Sequence, residues 1–371
     1  MRLAAAVAVA VTLALPASTG AAGERVLGID TTVLGMRLGW YDAATLTRLP
    51  GKTVPLVGHE APWAVSPGGL RVAIAGRAGD VRIIDVKRMR TLGVVPLRVK
   101  DPPSSVTWLP RGRILVTAGS TVVVVDSQGL HVLGRAKLPG DVAGAAIVNP
   151  LGVSLLLAPA SNGFAAARVA MVGPDGGVRA ATLDRVSIGF RRSGDTIDFR
   201  TAGFAVDPAA QRAFVVGTDD TIATVDLRSL AVAYHNGTSR YTSKPIPGRQ
   251  RSARWLGNGL LAVAGRDDPS TASLKIVDTR DWSTRVIDRR SESVSGGGGI
   301  LVGSSWPNFA GYSVDGAERY RFALATREDL QIAGRYGYVC AGTKLSTVLD
   351  MTTGTPVNSA HGSLCVTVLR R

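Results

Sequence analysis

The segment Leu70–Val95, LRVAIAGRAGDVRIIDVKRMRTLGVV, contains three short apolar runs separated by two tight polar turns. Short apolar runs bounded by glycine and charged turn residues are typical of buried β-strands. The preceding Trp63–Gly69, WAVSPGG, adds another apolar run, which ends in a Pro/Gly turn. Together these residues predict an antiparallel meander of four strands.

Two short signatures of this meander recur along the chain. The first is a strand that ends in Asp and leads into a short polar turn, and it recurs at Asp42, Asp85, Asp126, Asp226, Asp278, Asp315 and Asp350, with Gly173 in a degenerate copy. The second is an apolar strand closed by a Pro/Gly turn, as in VTWLPRG and AIVNPLG. An Asp at a turn accepts hydrogen bonds from backbone N–H groups two or three residues ahead. We therefore assign the repeated Asp residues to turn formation rather than to catalysis or calcium binding.

The signatures recur roughly every 40 to 45 residues, which is the period of a four-stranded β-propeller blade. Blades pack face to face, so both faces of a strand are buried and the strand reads as a continuous apolar run. Val122–Val125 and Val153–Leu157 have that pattern. The sequence predicts an all-β fold, a single β-propeller of four-stranded antiparallel blades, eight or seven in number.

These strand–Asp–turn units resemble YVTN-type and WD-repeat-like β-propeller repeats, although the WD dipeptide and the YVTN tetrapeptide are absent. The resemblance covers nearly all of residues 23–371 and implies the propeller fold. Proteins with such repeats include scaffolds, lyases, quinoprotein amine dehydrogenase-like subunits and assembly factors, so the resemblance selects no function. The C-terminal Ser363–Leu369 is expected to supply the innermost strand of the first blade and to close the ring.

The N-terminus has the pattern of a cleaved signal peptide. Arg2 is followed by the uncharged apolar run Leu3–Leu15, and Gly20–Ala22 offers small residues for cleavage. The run is too short to span a membrane, and no second apolar stretch of spanning length follows. We expect a signal peptide at residues 1–22, a propeller domain at 23–371, and a secreted or extracytoplasmic location.

The chain contains two cysteines, Cys340 and Cys365. In an oxidising compartment an even number of cysteines favours a disulfide, which is the prediction here, and two free buried thiols are the alternative. The formal net charge of +15 favours anionic partners, either a protein or a polymer of the cell envelope. Nucleic acid is not expected as a partner of an exported chain, and we expect a monomer without a membrane span.

One face of the predicted propeller carries nearly all the long loops. Loops between second and third strands lie on the same face as loops between blades, and this set includes Pro159–Ala165, Leu183–Thr201, His235–Ser252, Arg266–Thr271 and Ser304–Asn308. Binding residues of a rigid scaffold are usually found in such loops, although sequence drift in exposed loops is the alternative. The candidate ligand-binding residues are Arg191, Arg192, Asp195, Arg200, Asp219, Asp220, Tyr241, Lys244, Arg249, Arg251, Asp267, Asp268 and Trp306.

Motifs for catalysis or metal binding are absent from the sequence. The four histidines are far apart, the paired acids Asp219–Asp220 and Asp267–Asp268 lack calcium-loop spacing, and no nucleophile elbow or zinc-protease motif occurs. We expect no catalytic residue, metal or cofactor. The favoured hypothesis is an exported, non-catalytic scaffold that binds a protein or anionic polymer on the long-loop face. The alternative is a lyase, hydrolase or quinoprotein-dehydrogenase-like enzyme with its site in the axial funnel.

Overall fold

The computed structural model describes residues 24–32, 35–56, 62–144, 146–193, 196–235, 249–266, 271–297, 299–326, 328–342, 344–358 and 365–369. The predicted signal peptide at residues 1–22 lies outside this part of the chain. Most of the described residues are in β-strands, and one short 3-10 turn lies at Pro110–Gly112. Within them, no helix is long and apolar enough to cross a membrane. The all-β prediction is confirmed.

The first third of the chain forms short strands that pair with their neighbours in sequence. They are Arg25–Thr32 (β1), Gly35–Asp42 (β2), Val54–Leu56 (β3), Trp63–Val65 (β4), Arg71–Gly76 (β5), Asp80–Asp85 (β6), Arg90–Pro96 (β7), Ser105–Leu109 (β8), Arg113–Ala118 (β9), Thr121–Asp126 (β10) and His131–Lys137 (β11). Strands β4–β7 and β8–β11 each make a four-stranded antiparallel sheet in chain order. The segment Leu70–Val95 therefore supplies strands two to four of one such sheet, as predicted.

The middle third contains one longer strand and one larger sheet. Its strands are Asp141–Val142 (β12), Ile147–Asn149 (β13), Gly152–Ala158 (β14), Gly163–Val172 (β15), Val178–Ser193 (β16), Thr196–Thr201 (β17), Gly203–Asp207 (β18), Arg212–Val216 (β19), Ile222–Asp226 (β20), Val232–His235 (β21), Arg249–Gly257 (β22), Leu260–Arg266 (β23), Ala272–Asp278 (β24) and Thr284–Asp288 (β25). Strands β18–β21 form a separate four-stranded sheet. Strands β12–β17 and β22–β25 join into a ten-stranded sheet, because β17 pairs in parallel with the start of β22.

The last third returns to the start of the chain. Its strands are Ser293–Gly297 (β26), Ile300–Ser305 (β27), Asn308–Tyr312 (β28), Glu318–Ala323 (β29), Glu328–Ala333 (β30), Tyr336–Ala341 (β31), Lys344–Asp350 (β32), Thr355–Asn358 (β33) and Thr367–Leu369 (β34). Strands β26–β29 and β30–β33 are four-stranded sheets, and β34 pairs antiparallel with β1 to complete a sheet with β1–β3.

The molecule is a single β-propeller of four-stranded antiparallel blades, but the predicted number of blades is wrong. Among the described residues six sheets have four strands, rather than the eight or seven expected. The difference arises from the ten-stranded sheet, in which two further meanders are joined through β17 and β22. Repeat spacing in the sequence cannot distinguish separate meanders from meanders that share hydrogen bonds.

The core lies between neighbouring sheets rather than at one centre. Val81 and Ile83 of β6 pack in one cluster with Ile114 and Val116 of β9, and all four side chains are fully buried. The run Val122–Val125 is buried on both faces of β10, as its continuous apolar sequence predicts. Burying each such side chain stabilises the fold by roughly 1.5–3 kcal/mol relative to exposure. The rigidity of the stacked sheets fixes the positions of the loops at their two ends.

Candidate binding rim

The loops between the second and third strands of the blades lie at one end of the propeller. We call this end the long-loop rim. Of the predicted binding residues, Arg191, Arg192, Arg200, Asp219, Asp220, Arg251 and Trp306 lie there with described side chains. Arg249 is described only as the first residue of β22. The others, Asp195, Tyr241, Lys244, Asp267 and Asp268, lie outside the described residues.

The β16–β17 hairpin projects beyond this rim. Gly163, the first residue of β15, pairs with Phe190, so the following residues of β16 have no partner on β15. Arg191 to Ser193 pair instead with β17, which runs back toward the propeller. The described residues of the predicted loop at Leu183–Thr201 are therefore strand residues of β16 and β17, and the base of the hairpin is held by the pairing of Arg200 with Arg249 on β22.

The hairpin carries arginines next to aromatic rings. The Cζ atoms of Arg200 and Arg191 lie 4.3 and 5.3 Å from the centroid of the Phe164 ring. Guanidinium groups at this distance are attracted to the ring face. Phe190 leaves 49% of its surface exposed, and Arg191 and Arg192 are exposed as well. The hairpin thus presents cationic and apolar surface together.

An ion cluster around a buried arginine lies beside the hairpin and connects two sheets. Arg251 donates from Nε and Nη2 to Oδ1 of Asp220, each at 2.9 Å, and from Nη1 to the carbonyl of Arg266 at 2.6 Å. Lys275 donates to Oδ2 of Asp220 at 2.8 Å. The Arg251 side chain is only 2% exposed. Arg251 and Asp220, two of the predicted binding residues, are therefore brought together as partners of each other.

The backbone around this cluster is adapted to the arginine. Gly265 has φ +159, and a Cβ there would lie 2.5 Å from Nη1 of Arg251 and 2.2 Å from the carbonyl of Gln250.

Asp219 accepts from the backbone N–H of Thr221 at 3.2 Å and from its hydroxyl at 2.9 Å. Asp219 therefore shapes its own turn, and among the described residues no group of three or more metal-ligating side chains converges.

The next sheet boundary on the rim is joined by a more exposed ion pair. Arg266 donates to Glu292 at 2.8 Å, and the Ser305 hydroxyl donates to the same carboxylate at 3.1 Å. Trp306 follows in a two-residue turn between β27 and β28, which is shorter than the loop predicted there. Its ring is 58% exposed and its Nε1 donates to the carbonyl of Glu328 at 3.3 Å. The turn holds the ring at the surface of the rim.

The repeated Asp residues lie at the opposite end of the propeller and form turns, as predicted. Asp42 accepts from the N–H groups of Ala44 and Thr45, both at 3.0 Å, and Asp85, Asp126, Asp226, Asp278 and Asp350 accept in the same way. Backbone hydrogen bonding lowers the pKa of Asp126. Asp315 is displaced by two residues from this pattern and accepts from the Ser313 hydroxyl, so its turn matches that of Asp175 instead.

Comparison with known proteins bears on the fold alone. No protein-family model and no curated protein matches the sequence. Similar solved structures include AztD from Citrobacter koseri, at 14% identity and a TM-score of 0.60, with 93% of this chain and 96% of that chain covered. BamB from Moraxella catarrhalis matches at 13% identity and a TM-score of 0.57, with coverage of 81% and 87%.

A third similar structure is the dihydro-heme d1 dehydrogenase NirN in complex with DHE. It matches at 12% identity and a TM-score of 0.59, with 93% of this chain and 73% of that chain covered. All three structures support the propeller fold, as the repeat resemblance implies. At such low identity they assign no residue role to this chain.

Proposed function

We propose that the chain is an exported, non-catalytic scaffold whose long-loop rim binds an acidic protein partner through the β16–β17 hairpin. The observation that carries this proposal is the exposed set of Arg191, Arg192 and Phe190 on a hairpin that projects beyond the rim. Arginine and aromatic residues are enriched in protein interfaces, where a few of them supply most of the binding energy. Binding of an anionic polymer would depend on the arginines alone. A contribution of Phe190 to affinity therefore distinguishes a protein partner from a polymer.

The hairpin is held in a way that suits binding without large rearrangement. Its base pairs with β22, and its return strand is followed directly by β18. The side chain of Asn162 clamps the hairpin by accepting from the N–H of Arg192 at 2.8 Å. A preorganised hairpin loses little conformational entropy on binding, so more of its contact energy contributes to affinity.

We also propose that β34 closes the propeller ring and that the protein works outside the cytoplasm. The antiparallel pairing of β34 with β1 supports closure, since it joins the two ends of the described chain in one sheet. The disulfide between Cys340 and Cys365 is present, as predicted, and ties the segment before β34 to β31. Disulfides persist in oxidising compartments, which fits an extracytoplasmic protein.

The alternative of an enzyme at the axis rests on a different part of the molecule. NirN is named as a dehydrogenase, whereas the name BamB refers to no reaction. Their fold-level similarity to this chain does not choose between an enzyme and a scaffold. The proposal therefore rests on the hairpin and not on the neighbours.

The test is capture of a partner from the exported fraction of the source cells with the immobilised protein. We expect the double variant Arg191→Glu/Arg192→Glu to capture at most a tenth of the partner that the wild type captures. Its binding should also depend less on salt concentration. The matched control is Lys87→Glu/Arg90→Glu, which reverses two exposed cations away from the rim. Equal capture by the hairpin variant and the wild type would refute the assignment.

Phe190→Ser then distinguishes the kinds of partner. A protein interface should lose affinity at least fivefold when this exposed ring is removed. Binding to a purified polyanion such as heparin should depend on the arginines and not on the ring. If Phe190→Ser leaves capture unchanged while the charge reversal abolishes it, the partner is an anionic polymer.

A further inference from the structure

A funnel opens at the end of the propeller opposite the long-loop rim. It has a volume of about 590 Å³. Its walls come from the short turns that join first and second strands and from strands β1, β2, β4, β22, β26, β30, β31 and β34. The lining residues that bear on ligand chemistry are Arg25, Trp40, Arg254, Tyr336, Val368 and Leu369. None of them belongs to the hairpin or to the ion pairs of the rim.

Two arginines in the funnel have no carboxylate partner within the part of the chain that the structure describes. The Cζ of Arg25 lies 4.5 Å above the centroid of the Trp40 ring. Arg254 lies against the backbone of Gly296, where a Cβ would come within 2.9 Å of its Nε. Among the described residues neither guanidinium forms an ion pair or a side-chain hydrogen bond. Both therefore keep their donors available to a ligand.

The acids near the funnel are mostly occupied by other groups. Asp42 accepts hydrogen bonds within its own turn, and Asp350 is bound by Arg335 at a distance of 2.8 Å from Nε. Glu24 is the one acidic residue that lines the funnel among the described residues. The funnel lining therefore contains two guanidinium groups against one carboxylate.

The rest of the lining is apolar or neutral. Val368 and Leu369 are buried, and Leu27 and Ile332 add further aliphatic surface. Burial and the nearby charge of Glu24 raise the pKa of Tyr336, so its hydroxyl stays protonated at neutral pH. The pocket thus combines fixed cations, a flat aromatic ring and an aliphatic wall, a combination typical of small-molecule sites.

We propose that this funnel binds a small organic anion with a flat apolar body. The anionic group would lie between the guanidinium groups of Arg25 and Arg254, and the body would pack beside the stacked Arg25 and Trp40 on the aliphatic wall formed by Val368 and Leu369. Guanidinium groups form charge-assisted hydrogen bonds with carboxylates and phosphates. This site is independent of the rim, and the two proposals share no residue.

The test uses 1-naphthoate as the probe and titration calorimetry of the full chain as the measurement. The uncharged 1-naphthamide has nearly the same shape and should bind at least tenfold more weakly. Arg25→Met and Arg254→Met should each weaken naphthoate binding about tenfold, because each removes one charge-assisted contact. Arg90→Met, on the outer strand β7, is the matched control and should bind like the wild type.

Two further variants keep the test independent of folding. Arg254→Lys retains the charge and should recover part of the affinity lost in Arg254→Met. Gly296→Ala leaves both arginines in the sequence but displaces Arg254, so it should also weaken naphthoate binding.

Equal binding of naphthoate and naphthamide would overturn the proposal, because apolar contact alone would then explain the affinity. Unchanged affinity in both Arg→Met variants would also overturn it. The hairpin variant Arg191→Glu/Arg192→Glu should bind naphthoate normally, so failure of the rim proposal and failure of this one are distinguishable.

Discussion

The two ends of the propeller use their charges differently. On the long-loop rim, Asp220 and Glu292 are bound by cations from across a sheet boundary, so these charges stabilise the assembly of sheets. At the funnel end the carboxylates of the turns accept backbone N–H groups, and Arg25 and Arg254 have no acidic partner among the described residues. The excess of 43 basic over 28 acidic residues thus contributes to sheet boundaries at one end, and at the other end it supplies the arginines of the proposed ligand site.

The largest expected effect comes from removing the Cys340–Cys365 disulfide, which connects the two ends of the propeller. Cys340 lies near the rim end of β31, and Cys365 precedes β34, whose last residues line the funnel. Cys340→Ser/Cys365→Ser should lower the free energy of unfolding by about 3 kcal/mol, because the unfolded chain regains the entropy of an open loop. Urea unfolding with and without reductant measures this difference.

The wild type in reductant should match the double variant, and the variant should not respond to reductant. We also expect naphthoate affinity to fall in the variant while capture on the hairpin persists, since only the funnel contains β34. A loss of less than about 0.5 kcal/mol would show that β34 is held by its strand pairing alone.

A second prediction separates buried from exposed charge within the rim. Asp220→Asn removes the carboxylate charge that Arg251, which is 2% exposed, and Lys275 both contact, and should cost about 2 kcal/mol. The value lies below the range for fully buried pairs because the Asp220 side chain is 32% exposed. Equilibrium unfolding in urea at neutral pH measures the change.

The matched control is Glu292→Gln, which removes the anion from Arg266 at the next sheet boundary. That pair is 47% and 37% exposed, and an exposed ion pair contributes less than about 1 kcal/mol. If both variants lower the free energy of unfolding equally, burial of Arg251 does not make its ion pair more stabilising than the exposed pair of Arg266 and Glu292.

The sequence predicts the repeated unit well because each unit is local. The strands, the Asp turns and the disulfide follow from apolar runs, turn residues and cysteine number. The pairing of Asp220 with Arg251 and Lys275 could not be predicted, since the partners are 31 and 55 residues apart. Their meeting depends on which strand ends the packed sheets bring together.

The sequence contains a strand pattern for the hairpin, but a β-bulge interrupts that pattern. Val186, Ile188 and Phe190 alternate with polar residues, which is a strand pattern. Ala167 pairs with Leu183 while Ala166 pairs with Ser187, so the intervening residues bulge out of register. The charged residues in that bulge interrupt the alternation, and the segment therefore reads as a loop.

The smallest expected effect concerns Asp350 at the funnel end, and it tests whether Arg335 binds the carboxylate of this residue. Hydrogen bonding and charge from Arg335, together with Thr352, lower the pKa of Asp350 to about 2. A carboxyl whose pKa is lower in the folded state stabilises the fold at pH values above its ordinary pKa of 3.8, and this contribution is lost as the pH falls toward 2. Asp350→Asn should cost about 1 kcal/mol at neutral pH, since Arg335 is 58% exposed and screened by solvent.

The measurement is the difference in urea midpoint between the wild type and Asp350→Asn from pH 7 to pH 3. The difference should be constant down to about pH 5 and should shrink below pH 4, where the unfolded chain binds a proton and the folded chain does not. Arg335→Met should flatten this dependence by raising the pKa of Asp350. A difference that stays constant to pH 3 would mean that Arg335 does not hold the carboxylate, and Asp350 would then be available to compete for the arginines of the funnel.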